Sequence, residues 1–210
     1  MIKLVLQISH VSDFSPTSWW EKQMKTSLKQ LGIDVELKYY SLSNVGYGLN
    51  RKKLLQISNS SDYPVKKDAI LERSWFINLL IVYTFEKPNY VGLMFDDFGI
   101  SKRDGCAIFI DPIRNRFDTN KRQKVFAHVA IHEIGHALNF CHPGKSSSDD
   151  SVMLPITRAK EKNNWLKSSC FEYSNYHKSF FLEEKEELSV PGTELQFICQ
   201  SKDSELDIIK

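Results

Sequence analysis

The sequence predicts a mixed α/β layer domain, and three observations predict it. Strand-like and helix-like segments alternate through the first half, one later strand is apolar without interruption, and a single long apolar helix follows the last strand. The opening IKLVLQIS is rich in apolar residues and stops at the turn-forming DFSP, so it reads as a first strand. From Pro16 to about Leu31 the residues Trp19, Trp20, Met24, Leu28 and Leu31 recur at helical steps, and Gly32 closes that helix. The Trp19–Trp20 pair is expected in the core rather than on a recognition surface. DVELKYYSL alternates as a half-exposed strand does. Residues 44–74 are polar and interrupted, with helical turns expected near Arg51–Ile57 and Val65–Arg73. FINLLIVYTF is a continuous apolar run bounded by charge and Pro88, the pattern of a buried central strand. YVGLMFDD and GCAIFID are two more strands joined by a polar loop, and a long helix is expected from about Lys121 to Asn139. The last ten residues, SKDSELDIIK, read as a fraying tail.

A length of 210 residues suits one domain with a substantial core. A composition 41% hydrophobic and 26% charged excludes wholesale disorder. Basic and acidic residues number 28 and 26, so the net charge of +2 gives no reason to expect nucleic acid or a membrane surface as partner. No run approaches the ~18 apolar residues of a membrane span. The start MIKLVLQISH has no small-residue cleavage site after it. Cys106, Cys141, Cys170 and Cys199 form no C-x-x-C pair, so reduced thiols and a cytoplasmic location are expected.

The chemistry concentrates in AIHEIGHALNFCHPG, residues 130–144. The helix carrying it is apolar nearly all round from Val125 to Phe140, hence buried. Burying His132, Glu133 and His136 without partners would cost several kcal/mol for the charged group alone. His132 and His136, four residues apart, stand roughly 6 Å apart on one face. Both then reach one Zn²⁺ at ~2.0–2.1 Å. A continuing helix would carry His142 ~9 Å along the axis and ~240° round it, away from that ion. The helix must therefore end between them. Asn139, the non-glycine residue best suited to the left-handed conformation, and Pro143 both point to a stop. Three imidazoles leave a fourth zinc position for water, which marks a catalytic site. Glu133 projects ~100° from His132, toward that water, and is the candidate general base. Two alternatives stay open: Glu161 as third ligand in place of His142, and a non-catalytic zinc-stabilised interaction module that would keep the three histidines without needing Glu133.

HEIGHALNFCH resembles the metzincin zinc peptidases, whose pattern is H-E-x-x-H-x-x-G-x-x-H followed by a methionine turn. Met153, in SVMLP eleven residues after His142, matches the methionine beneath the zinc ligands in that family. HEIGHAL, the Pro-Gly after His142 and SVM are similar to the serralysin branch, while M-x-P is closer to the matrixins. The resemblance spans about Ile2 to Pro155 in topology and Val125 to Pro155 in specific motif. It implies a twisted, mostly parallel five-stranded sheet with an antiparallel edge strand, packed on the active-site helix. It also implies one catalytic domain over 1–210, with an N-terminal lobe to residue 142 and a smaller C-terminal lobe over 143–210.

The implied activity is zinc-dependent peptide hydrolysis, with one catalytic Zn²⁺ on His132, His136 and His142, Glu133 as base, and Met153 and Asn139 in support. The partner is then a peptide or protein substrate, laid along VGLMFDD at the sheet edge. A pocket walled by the helix near His132 and by Leu154, Pro155 and Ile156 would favour a hydrophobic residue just after the cleaved bond. Two departures stand out: Asn139 replaces the family glycine, and Pro155 occupies the place of a tyrosine that serves as a further ligand in some branches. The family's inhibitory prosegment is expected to be missing, leaving an unidentified inhibitor or regulator to restrain activity. His128 is a candidate for the cleft wall. Cys141 is expected to be a small buried thiol, and Asp96–Asp97 and Asp149–Asp150 solvated surface; His10 and His177 have no pattern.

Overall fold

The computed structural model describes residues 2–61, 74–95, 105–138, 140, 142–143, 151–154, 171–175, 177–179 and 181. Strand β1 (Ile2–Val11) is buried on both faces from Leu4 to Ser9, as a central strand must be. Helix α1 (Ser18–Lys29) starts two residues later than Pro16 because Thr17 caps it, its hydroxyl accepting from the Trp20 N–H at 3.2 Å. Gly32, at φ 73°, supplies the left-handed residue that turns the chain into β2 (Ile33–Leu42). Helix α2 (Arg51–Ser61) outruns the expected turn near Arg51–Ile57. Strands β3 (Trp75–Val82), β4 (Gly92–Phe95) and β5 (Gly105–Phe109) complete a five-stranded sheet of order β2-β1-β3-β5-β4. All neighbours run parallel except β4, which is antiparallel to β5 and forms an edge.

One element was not visible in the pattern. GCAIFID reads as a strand through Asp111, but β5 ends at Phe109 and a short helix α3 (Ile110–Arg116) begins at once. Pro112 falls in its first turn, where a missing N–H costs nothing. Helix α4 (Thr119–Ala137) then starts from Asp118, whose carboxylate accepts from the Lys121 N–H at 3.0 Å. Arg122 ties the corner by donating to the carbonyls of Phe117 and Arg114, both at 2.8 Å.

Helix α4 lies against β5, β4 and β3, and α1 lies against α4 and β2. The opposite face takes α2. There Asn78 of β3 accepts from the Ser9 hydroxyl (3.0 Å) and donates to the Ser58 hydroxyl of α2 (3.1 Å), while Gln7 donates to Ser9 (2.8 Å). These four polar side chains are fully buried. They pin α2 to the two central strands, since a slip would leave buried polar groups without their bonds. Among the described residues no helix is long and apolar enough to cross a membrane.

Asn78→Ala should therefore lower unfolding stability by about 2 kcal/mol, two buried hydrogen bonds being lost. Lys38→Ala, which breaks only an exposed ion pair with Glu36, should cost no more than about 0.5 kcal/mol. Urea unfolding of both variants checks the contrast.

Candidate metal centre

Every residue of α4 from Val125 to Ala137 is buried, except the half-buried His136. The helix ends at Leu138, and the Phe140 N–H returns to the Gly135 carbonyl at 2.9 Å. That is the six-to-one bond of a Schellman ending, and it turns the chain so that His142 comes back over the helix. Asn139 and Cys141, the alternative ligand Glu161, the acidic pairs, Pro155, Ile156 and the helical turn near Val65–Arg73 lie outside the described residues.

His132, His136 and His142 converge. Their Nε2 atoms stand 3.0 Å (His132–His136), 3.0 Å (His132–His142) and 3.1 Å (His136–His142) apart. The backs of two rings are anchored: His132 Nδ1 donates to the Val152 carbonyl at 2.7 Å, and His136 Nδ1 to the Phe140 carbonyl at 2.8 Å. A carbonyl can only accept, so the proton of each neutral ring sits on Nδ1 and its lone pair on Nε2. Two lone pairs thus face each other at 3.0 Å beside a third imidazole. A proton on His142 could bond to one of them but not both. A shared cation resolves all three contacts, and three nitrogens ~2.0–2.1 Å from one tetrahedral ion would stand roughly 3.3 Å apart. The donor set and its spacing fit a zinc-like ion, and each anchored Nδ1–H is the kind of outer contact that orients a ligand ring.

Glu133 is buried beside His132, with 1% of its surface exposed. It lies against the sheet edge: a Cβ placed on Gly92 of β4 would fall on its Oε1 and stand 2.8 Å from its Cγ and Cδ. On β5 the Cys106 thiol is held well above the ordinary range, chiefly by burial and further by the Glu133 charge.

Val152, which accepts from His132, sits in the turn Ser151–Leu154, closed by Leu154 N–H to Ser151 carbonyl at 3.1 Å. Met153 is fully buried, and its Cε lies 3.2 Å from where a Cβ on Gly135 would stand. The Val152 N–H donates to the Glu172 carbonyl at 2.8 Å. Two residues of that last segment brace the helices: the Tyr173 hydroxyl donates to the Ile131 carbonyl at 2.9 Å, and the Ser27 hydroxyl of α1 to the Phe171 carbonyl at 2.6 Å. Burial raises the pKa of the Tyr173 phenol.

Sequence reasoning missed Gly92, Gly135 and Tyr173. A glycine inside a helix costs ~0.8–1.0 kcal/mol against alanine, and one inside a strand is likewise unfavourable, so both signalled a close approach. Tyr173 gave no signal. His128 is buried with its ring stacked 6.1 Å from that of His132, outside the converging set. His177 bonds to Ser174 at 2.7 Å and packs on Phe140. Trp20 is buried and Trp19 packs against Phe171, as expected of core residues.

This sheet, with an antiparallel edge beside a helix bearing three convergent histidines and an adjacent glutamate, is consistent with a metzincin-type zinc site. It does not single out the serralysin or matrixin branch. No protein-family profile matches the sequence, and no curated protein matches it. Among solved structures, the crystal structure of archaemetzincin from Methanopyrus kandleri is similar in fold, with a TM-score of 0.57 at 12% sequence identity. The likeness covers 88% of this chain and 96% of that one.

Gly135→Ala should gain helix propensity yet lose stability by about 1–3 kcal/mol, because the new methyl meets the Met153 thioether. Zinc competition against a chromophoric chelator should show weakened binding in the same variant.

Proposed function

We propose that the chain is a zinc-dependent endopeptidase of metzincin type. The reading rests above all on three imidazoles that converge with their lone pairs inward beside a buried glutamate. His132, His136 and His142 would hold the ion, and Met153 supports the helix carrying two of them by packing at Gly135. When bound, the ion lowers the pKa of a water molecule and polarises the substrate carbonyl. Glu133 would take a proton from a water molecule as the water oxygen bonds to the carbonyl carbon, and would deliver it to the amine nitrogen as the C–N bond breaks. The apolar surroundings of α4 keep the carboxylate away from bulk water, which strengthens its interactions there.

The substrate is an extended peptide that adds to β4. The Phe109 N–H bonds to the Val91 carbonyl at 2.9 Å, and that fixes the alternation of the antiparallel ladder. Leu93 then bonds inward to Ala107, while the N–H and C=O of Gly92 and Met94 point to the open edge. A hydrophobic side chain after the cut would meet buried Leu154. The fold likeness to an archaemetzincin supports the class. It carries nothing about substrate.

Glu133→Ala should keep zinc and fold but lose peptide hydrolysis by at least ~10²–10⁴-fold, the scale of a lost general base. His142→Ala should lose the metal, and Glu161→Ala should keep it. Zinc analysis beside peptide-library cleavage tests both. A wild-type protein that binds zinc and cleaves no library peptide would point instead to the zinc-stabilised interaction module.

Met94→Pro should impair cleavage of long peptides while leaving zinc bound, since proline removes an open-edge donor. Leu93→Pro should instead lower the unfolding midpoint, because it breaks a ladder bond to β5. Steady-state kinetics and thermal unfolding of the two variants separate these effects.

A further inference from the structure

We propose that Gly92 is a positioning residue for Glu133: the bare backbone of the edge strand sets where the carboxylate lies. This rests on the peptidase reading above and goes beyond it. Gly92 is not among the described glycines with positive φ, which are Gly32 and Gly48, so its backbone conformation is open to any residue. The nearest obstacle to a side chain is Glu133. A Cβ at Gly92 would overlap its Oε1 and approach Cγ and Cδ to 2.8 Å, well inside the ~3.5–4.0 Å of a normal carbon contact. Rotating the carboxylate alone cannot relieve this, because Cγ is hit as closely as Cδ. The whole side chain would have to move, and the buried residues around it on α4 leave little space for that.

Position in the ladder gives the contact a function. Gly92 pairs with Ile108 at a site whose N–H and C=O face the open edge. The strand that would receive the peptide backbone is therefore the strand that the base rests on. A peptide in register on β4 and a carboxylate seated against Gly92 share one reference frame, so the base meets the scissile bond at a fixed offset. A methyl at this position displaces the base while leaving the peptide-binding edge in place.

The test is a pair of double-mutant cycles on the full-length chain. Gly92→Ala should lower kcat about tenfold or more, with KM for a long peptide within about threefold and zinc content unchanged. In Glu133→Asp, whose shorter side chain withdraws from the strand, adding Gly92→Ala should cost less than about twofold in kcat. The second cycle reads unfolding alone. Gly92→Ala should lower the thermal midpoint by roughly 2–4 °C with Glu133 present, and leave it unchanged or raise it in Glu133→Ala. An equal loss of midpoint in both backgrounds overturns the proposal, as does a folded Gly92→Ala enzyme with full kcat. Should the wild type cleave no peptide, the peptidase reading fails while the unfolding cycle still decides whether Gly92 seats Glu133.

Discussion

The hydrogen bond from His132 Nδ1 to the Val152 carbonyl is the constraint on which the rest of the centre depends. It sets the tautomer, and so decides that the lone pair points toward His136 and His142 rather than into the core. It also joins three parts of the chain that are far apart in sequence. Val152 sits in the turn that carries Met153, and its N–H is held by Glu172. The segment bearing Glu172 is tied in turn to α4 through Tyr173 and to α1 through Ser27. A shift in any of these would swing the His132 ring, and a small change in ring angle moves its Nε2 away from those of His136 and His142.

The sheet supplies the other boundary. Because β4 runs antiparallel at the edge, it presents alternate N–H and C=O groups to the outside while its partner β5 stays buried. Helix α4 crosses the same edge, and the absence of a Gly92 side chain brings the helix-borne carboxylate against the strand. The two glycines near the centre act alike. Gly92 makes room for Glu133 and Gly135 makes room for Met153, so each accepts a poor intrinsic preference in exchange for a close approach. The buried polar side chains on the far face keep β1 and β3 in register, which fixes where the edge stands relative to the helix.

Much was legible in the sequence alone. The four-residue spacing of His132 and His136 and the apolar surroundings required a buried helix with a partner for its polar face, and apolar runs and periodicity placed β1, β2, β3 and α1 within a few residues. That the helix must break between His136 and His142 was also readable, since His142 could not otherwise reach the pair; the sequence put the end near Asn139, and the structure ends the helix at Ala137. Tertiary structure alone decided the rest, because it depends on contacts between residues far apart along the chain. A continuous apolar run cannot say where a strand gives way to a helix, so the start of α3 at Ile110 was hidden inside GCAIFID. The carbonyl of Val152 and the hydroxyl of Tyr173 have no local pattern, and Gly92 signals a close approach without naming what approaches, since each is defined only by what packs against it. Local chemistry named the three histidines and the glutamate; the folding of a distant turn and an edge strand around them decided where each atom points.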